Sequence, residues 1–116
     1  METQYDSQDG CAFASPHGRL DFSSALPFQK ELDEVIANTD EGTKAFIIDC
    51  AALEYVSSAG LRAFLTSARA AEKKGIGFAV CGLIDAVREV FEVSNFSRVI
   101  KIVETRDDAV REVGGA

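Results

Sequence analysis

Enzyme chemistry needs nucleophiles, bases and metal ligands, and this chain holds few of them: one histidine, His17, and three scattered cysteines, Cys11, Cys50 and Cys81. Nucleophilic catalysis requires a Ser or Cys within hydrogen-bond reach of a base that a third group orients. His17 sits between Pro16 and Gly18 in the least regular part of the chain and reads as a solvated loop histidine. Cys50 and Cys81 end apolar runs, where a cysteine is a small hydrophobe unless a nearby cation lowers its pKa. With no Cys-x-x-Cys pair, neither a zinc site nor a disulfide framework is signalled, which fits a reducing cytoplasm. Gly75-x-Gly77 follows a helical stretch instead of opening one, so it lacks the setting in which glycines cradle a phosphate. Asp85, Glu89 and Glu92 share the polar side of a helix, most simply a solvated face. The expectation is a chain with no catalytic set, no metal and no cofactor of its own.

One segment departs from that plainness. In Ser57-Ser58-Ala59-Gly60-Leu61, two adjacent hydroxyls meet the start of a helical stripe just beyond a buried apolar run. A serine in that place caps the helix, worth about 1 kcal/mol, by accepting an orphan backbone N–H. One cap needs only one hydroxyl, and open α/β sheets present functional groups at the carboxyl ends of their strands. The second serine is therefore available. A phosphate there would add about −1.5 to −2 charge, favourable toward the helix N-terminus and unfavourable toward an acidic surface or partner. On the residues alone, a plain cap and a phosphorylation switch both stay open.

The elements that must position this segment follow from periodicity. Residues 1–17 suggest one or two edge strands, because Pro16 would interrupt a central strand through Cys11-Ala12-Phe13-Ala14. Ser23 or Ser24 could cap a first helix, with Pro27 in its first turn and Phe28, Leu32, Val35 and Ile36 forming its apolar stripe. Ala45-Phe46-Ile47-Ile48 is a strand buried on both faces, and Ala52 to Val56 a link. Leu61, Phe64, Leu65 and Ala68 stripe a second helix that Lys73-Lys74-Gly75 stops. Ile76 to Cys81 is a further strand, Leu83, Val87, Val90 and Phe91 a third helix face, and Val99 to Val103 a last strand near an edge. Thr105-x-x-Asp108 caps a closing helix. Strands separated by helices in this way call for right-handed crossovers, hence an α/β fold with a mostly parallel sheet. One domain over residues 1–116 is expected.

Charge narrows the partners. Twelve Lys and Arg against nineteen Asp and Glu give a net charge of −7, with no long basic run, which argues against binding the nucleic-acid backbone. No apolar run approaches the ~20 residues of a membrane span, and the polar N-terminus lacks the order of a secretion signal. A cytoplasmic protein without membrane insertion is expected.

Three segments resemble the STAS domain family, specifically its bacterial single-domain anti-sigma factor antagonists. Gly18-Arg19-Leu20-Asp21 is similar to the family's Gly-x-Leu-Asp before the first helix. Ile47-Ile48-Asp49 through Ser57-Ser58-Ala59-Gly60-Leu61 is similar to its strand, loop and Asp-Ser-Ser-Gly-Leu phosphorylation motif, and Val87 to Ser94 to its third helix. Ser57 stands where the family often has Asp, and Ala59 where it often has Ser. The resemblance implies a mixed, largely parallel sheet of about four or five strands packed with about four helices. It further implies phosphorylation on Ser58, with Ser57 as runner-up, by an anti-sigma factor that is itself a serine kinase, and reversal by a metal-dependent serine phosphatase. Asp21, Ser57, Ser58, Gly60 and Arg62 are then the expected partner-binding residues, Asp21 being equally readable as a turn aspartate and Arg62 as a solvated helix residue. The unphosphorylated protein would bind the kinase and release the sigma factor. Related domains that sense nucleotides or accompany membrane transport systems supply the alternative, a ligand-binding subunit without phosphorylation.

Overall fold

The computed structural model describes residues 1–114. Along the chain run β1 (Glu2–Gln8), β2 (Cys11–Leu20), α1 (Phe22–Ala37), β3 (Ala45–Asp49), β4 (Leu53–Val56), α2 (Ser58–Lys74), β5 (Gly77–Cys81), α3 (Asp85–Val93), a 3-10 turn (Phe96–Arg98), β6 (Lys101–Val103) and α4 (Arg106–Val113). The sheet order is β1-β2-β3-β5-β6, and β4 pairs with the far end of β2. Among the described residues only the β1–β2 hairpin is antiparallel, and the other pairings are parallel.

β3 is apolar at four consecutive positions because both its faces are covered. Phe46 and Ile48 join the cluster built with Phe28, Leu32 and Ile36 of α1, Phe64 of α2 and Phe91 of α3. Ala45 and Ile47 face the other way, onto Phe13, Ala79 and Ala109 of α4, as the two-residue alternation of a strand requires. Rings link the helices on the larger face: Phe28 to Phe64 at 6.0 Å, Phe64 to Phe91 at 5.2 Å and Phe91 to Phe96 at 6.2 Å between centroids. The last of these anchors the 3-10 turn beside α2.

Several expectations are corrected. β2 is an interior strand, not an edge, and its central position survives Pro16 because its parallel partners change there. β3 leaves at Ala14↔Ile48 and β4 joins only at Gly18↔Leu53. The Gly18 N–H donates to Ala52 O at 3.0 Å on that side, so the Pro16 nitrogen, two residues back, faces the gap where no ladder bond is due. His17 accordingly lies in a strand opposite Glu2 and is half-buried, not a loop residue. The link from Ala52 to Val56 contains β4. Pro27 falls in the second turn of α1, and the cap is Asp21 instead of Ser23 or Ser24. Phe28, Leu32 and Ile36 are buried as expected, with Val35 packed partly against them.

Candidate functional site

The carboxyl ends of the parallel strands bring the starts of α1 and α2 side by side. The Ser57 N–H donates to Leu20 O at 2.9 Å, which places the residue before one helix cap against the other cap. Close approach also depends on Gly60, which is buried: a Cβ there would lie 2.8 Å from Leu20 Cγ and 2.9 Å from Val56 Cγ2. Only a residue without a side chain lets α2 settle onto β2 and β4 at this point.

The two serines divide their tasks. Ser57 is the cap, in extended conformation, its Oγ accepting the Gly60 N–H at 3.1 Å and its carbonyl accepting the Leu61 N–H at 2.9 Å. Ser58 is the first helical residue and is exposed, with its hydroxyl outside the cap. The first turn of α2 carries no acidic side chain, so the positive end of its dipole is unopposed there.

Asp21 does the capping for α1. Its carboxylate accepts the Ser24 N–H at 3.1 Å, the Ser23 hydroxyl at 2.8 Å and the Ser24 hydroxyl at 3.0 Å, while Ser24 Oγ accepts the Asp21 N–H in return. These bonds, led by the Ser23 hydroxyl, hold the Asp21 carboxyl below the usual carboxylate range. Next to it, Phe22 is 85% exposed and Leu26 57% exposed. Both lie off the Phe28, Leu32, Ile36 stripe, and that departure is the signal by which the sequence could have shown them. Arg19 stacks over the Tyr55 ring at 4.2 Å, joining β2 to β4 at the same end.

Arg62, one turn after Ser58, is exposed. Together with Ser58, Leu61, Leu65, Ser94 and Phe96 it lines a hollow of about 350 Å³. Its far wall comes from the end of α3 and the 3-10 turn, so no local spacing in the sequence announces it.

The thiols are poorly suited to attack. All three are buried. Burial pushes the Cys50 thiol well up, raises that of Cys11, and drives that of Cys81 up to about 12, whereas a reactive cysteine needs a depressed pKa. Behind the site, Arg106 ties Asp49 at 2.7 Å, Asp6 at 3.1 Å and Ser15 at 3.1 Å, its guanidinium stacked on Phe13. Among the described residues, no three His, Cys, Asp or Glu side chains are placed to hold a metal ion, and no helix is long and apolar enough to cross a membrane.

Comparison with known proteins decides the family. The STAS domain profile matches residues 2–109. The chain belongs to the STAS domain family. BtrV of Bordetella bronchiseptica, a relative named as an anti-sigma factor antagonist, is 32% identical over 109 residues, covering 94% of this chain and 91% of its own. The structure of an anti-sigma factor antagonist from Mycobacterium paratuberculosis matches with a TM-score of 0.82 at 27% identity, over 97% of this chain and 93% of that one. The Bacillus cell fate determinant SpoIIAA in its phosphorylated form matches in fold, with a TM-score of 0.67 at 16% identity, over 95% of this chain and 97% of that one. This STAS domain is thus similar in sequence and fold to anti-sigma factor antagonists, and its mixed α/β sheet with four helices is theirs.

Proposed function

We propose that this STAS domain is a partner-switching anti-sigma factor antagonist, a binding protein instead of an enzyme, working in the cytoplasm. Unphosphorylated, it binds an anti-sigma factor that is also a serine kinase, and so frees the sigma factor. Phosphorylated on Ser58, it lets go, and a metal-dependent serine phosphatase resets it. The observation that carries this reading is the division between the two serines: Ser57 is spent on the cap, and the exposed Ser58 hydroxyl is left for modification. The phosphorylated form in which a protein of the same fold has been solved lends support. ATP and the base that deprotonates Ser58 come from the kinase, which fits a chain whose thiols are buried and whose one histidine is half-buried in β2, paired with Glu2 of β1.

Asp21 and Arg62 flank the modified residue, and a partner that covers Ser58 meets both. A phosphate in such a contact places about two negative charges against the partner, in the position where like-charge repulsion and the cost of desolvating the phosphate break an interface. The test is tandem mass spectrometry of the protein from its native host, with Ser58→Ala alongside, and capture of the anti-sigma partner by each form. The reading expects phosphate on Ser58, none in Ser58→Ala, retained capture by Ser58→Ala and weakened capture by Ser58→Asp. Stoichiometric phosphate in Ser58→Ala overturns it.

A further inference from the structure

We propose that a phosphate on Ser58 is held by this chain's own Arg62, so that modification changes the charge and the shape of one surface together. The inference rests on the reading of Ser58 as the modified residue and adds an internal receptor for the phosphate.

Three observations converge on Arg62. It lies at i+4 from Ser58 in α2, on the same helical face. Helical side chains lean toward the N-terminus, so a long side chain at position 62 covers the turn in front of it, where Ser58 begins the helix. The reverse order, a cation ahead of the serine, would lean away. Second, Ser58 and Arg62 line the same hollow, and Arg62 is the one charged side chain among its six lining residues. Third, Arg62 is exposed and none of the ion pairs among the described residues engages it.

The chemistry suits the place. A guanidinium offers a planar fork of donors that matches two phosphate oxygens, where a lysine would offer a point charge. Leu61, Leu65 and Phe96 form the apolar part of the hollow, which lets the stem of Arg62 lie along it while the head reaches the phosphate. Drawn onto the phosphate, Arg62 leaves its free position, and a partner that used the open hollow and the free guanidinium loses both along with gaining a negative charge.

The experiment installs phosphoserine at position 58 by genetic-code expansion, so no kinase is involved. The phosphate is then titrated by 31P NMR in the full chain with Arg62, with Arg62→Gln and with Arg62→Lys. The helix N-terminus acts equally in all three, so the differences isolate residue 62. Arg62→Gln is expected to raise the midpoint of the second phosphate ionisation by about 0.3 of a pH unit, the size of a helical i,i+4 charge pair. Arg62→Lys is expected to recover part of that shift. An Nε–H resonance of Arg62 that moves on phosphorylation and follows the same midpoint is the matching signature. Equal midpoints in the Arg and Gln proteins, or a lower one in Arg62→Gln, overturn the inference. Because the phosphoserine is incorporated during translation, its titration reads out whether or not the native host modifies Ser58, and the two proposals fail separately.

Discussion

Replacing Ser57 and Ser58 one at a time separates the cap from the proposed switch. Ser57→Ala removes the Oγ that accepts the Gly60 N–H at 3.1 Å. Loss of such a cap costs typically about 1 kcal/mol, and up to about 2 where the abandoned donor cannot turn to water. Gly60 is buried under Leu20 and Val56, which puts this cap in the upper half of that range. For a chain of 116 residues, an unfolding entropy of about 2.1 cal/mol/K per residue makes each kcal/mol worth about 4 °C in Tm. Ser57→Ala should therefore melt about 6 °C lower. Ser58→Ala removes an exposed hydroxyl outside the cap and should stay within about 0.5 kcal/mol, or 2 °C. Urea unfolding followed by circular dichroism, with unchanged m values, together with calorimetry, measures both. If Ser58→Ala costs as much as Ser57→Ala, the division of labour is wrong and Ser58 is itself a structural residue.

Further outcomes are expected elsewhere in the same end of the molecule. Gly60→Ala forces a Cβ to within 2.9 Å of Leu20 and Val56 side chains, and urea unfolding should show a loss of about 2 kcal/mol, as for other overpacked cores. Asp21 has a carboxyl held low by its hydrogen bonds, so its charged form stabilises the fold above the unfolded carboxyl range of about 4, and that contribution is lost as pH falls through the lower folded value. The Tm difference between the wild type and Asp21→Asn should accordingly be full at pH 7 and close on acidification below about 4. The three buried thiols should label with iodoacetamide at pH 8 only on the timescale of unfolding, and rapid labelling of the native protein by mass spectrometry would contradict their raised pKa values.

How legible the fold was depended on where the information resides. Helical stripes and doubly covered strands are local patterns, so Phe28, Leu32 and Ile36, or Ala45 to Ile48, point inward in the sequence as in the structure. β4 is not legible because its four residues, Leu53 to Val56, run buried, exposed, exposed, buried, which lacks the two-residue alternation of a strand. Pro16 argues in the sequence against a central β2, and only the register of β3 and β4 explains why the proline is harmless. The site divides the same way. Ser57, Ser58 and Gly60 are adjacent in sequence and were readable as a group, and a capping role for Asp21 fits its place before α1. The contact of Leu20 O with Ser57, and the hollow that Phe96 and Ser94 complete beside Arg62, are long-range events that no spacing encodes.

The helices that carry Asp21 and Ser58 are fastened to each other at both ends. At one end Leu20 O holds the Ser57 N–H. At the other the Lys74 ammonium, in the last turn of α2, donates to the carbonyls of Ile36, Ala37 and Thr39 at 2.8, 2.9 and 2.9 Å, closing the C-terminus of α1. A pair of rods pinned at two points has no pivot, and chemistry at one end of it is given no lever with which to move the other. On the proposed reading, a phosphate on Ser58 is then legible only to a partner that touches it, which would make this domain a label to be read in place, with the conversion of that label into motion left to the proteins that bind it.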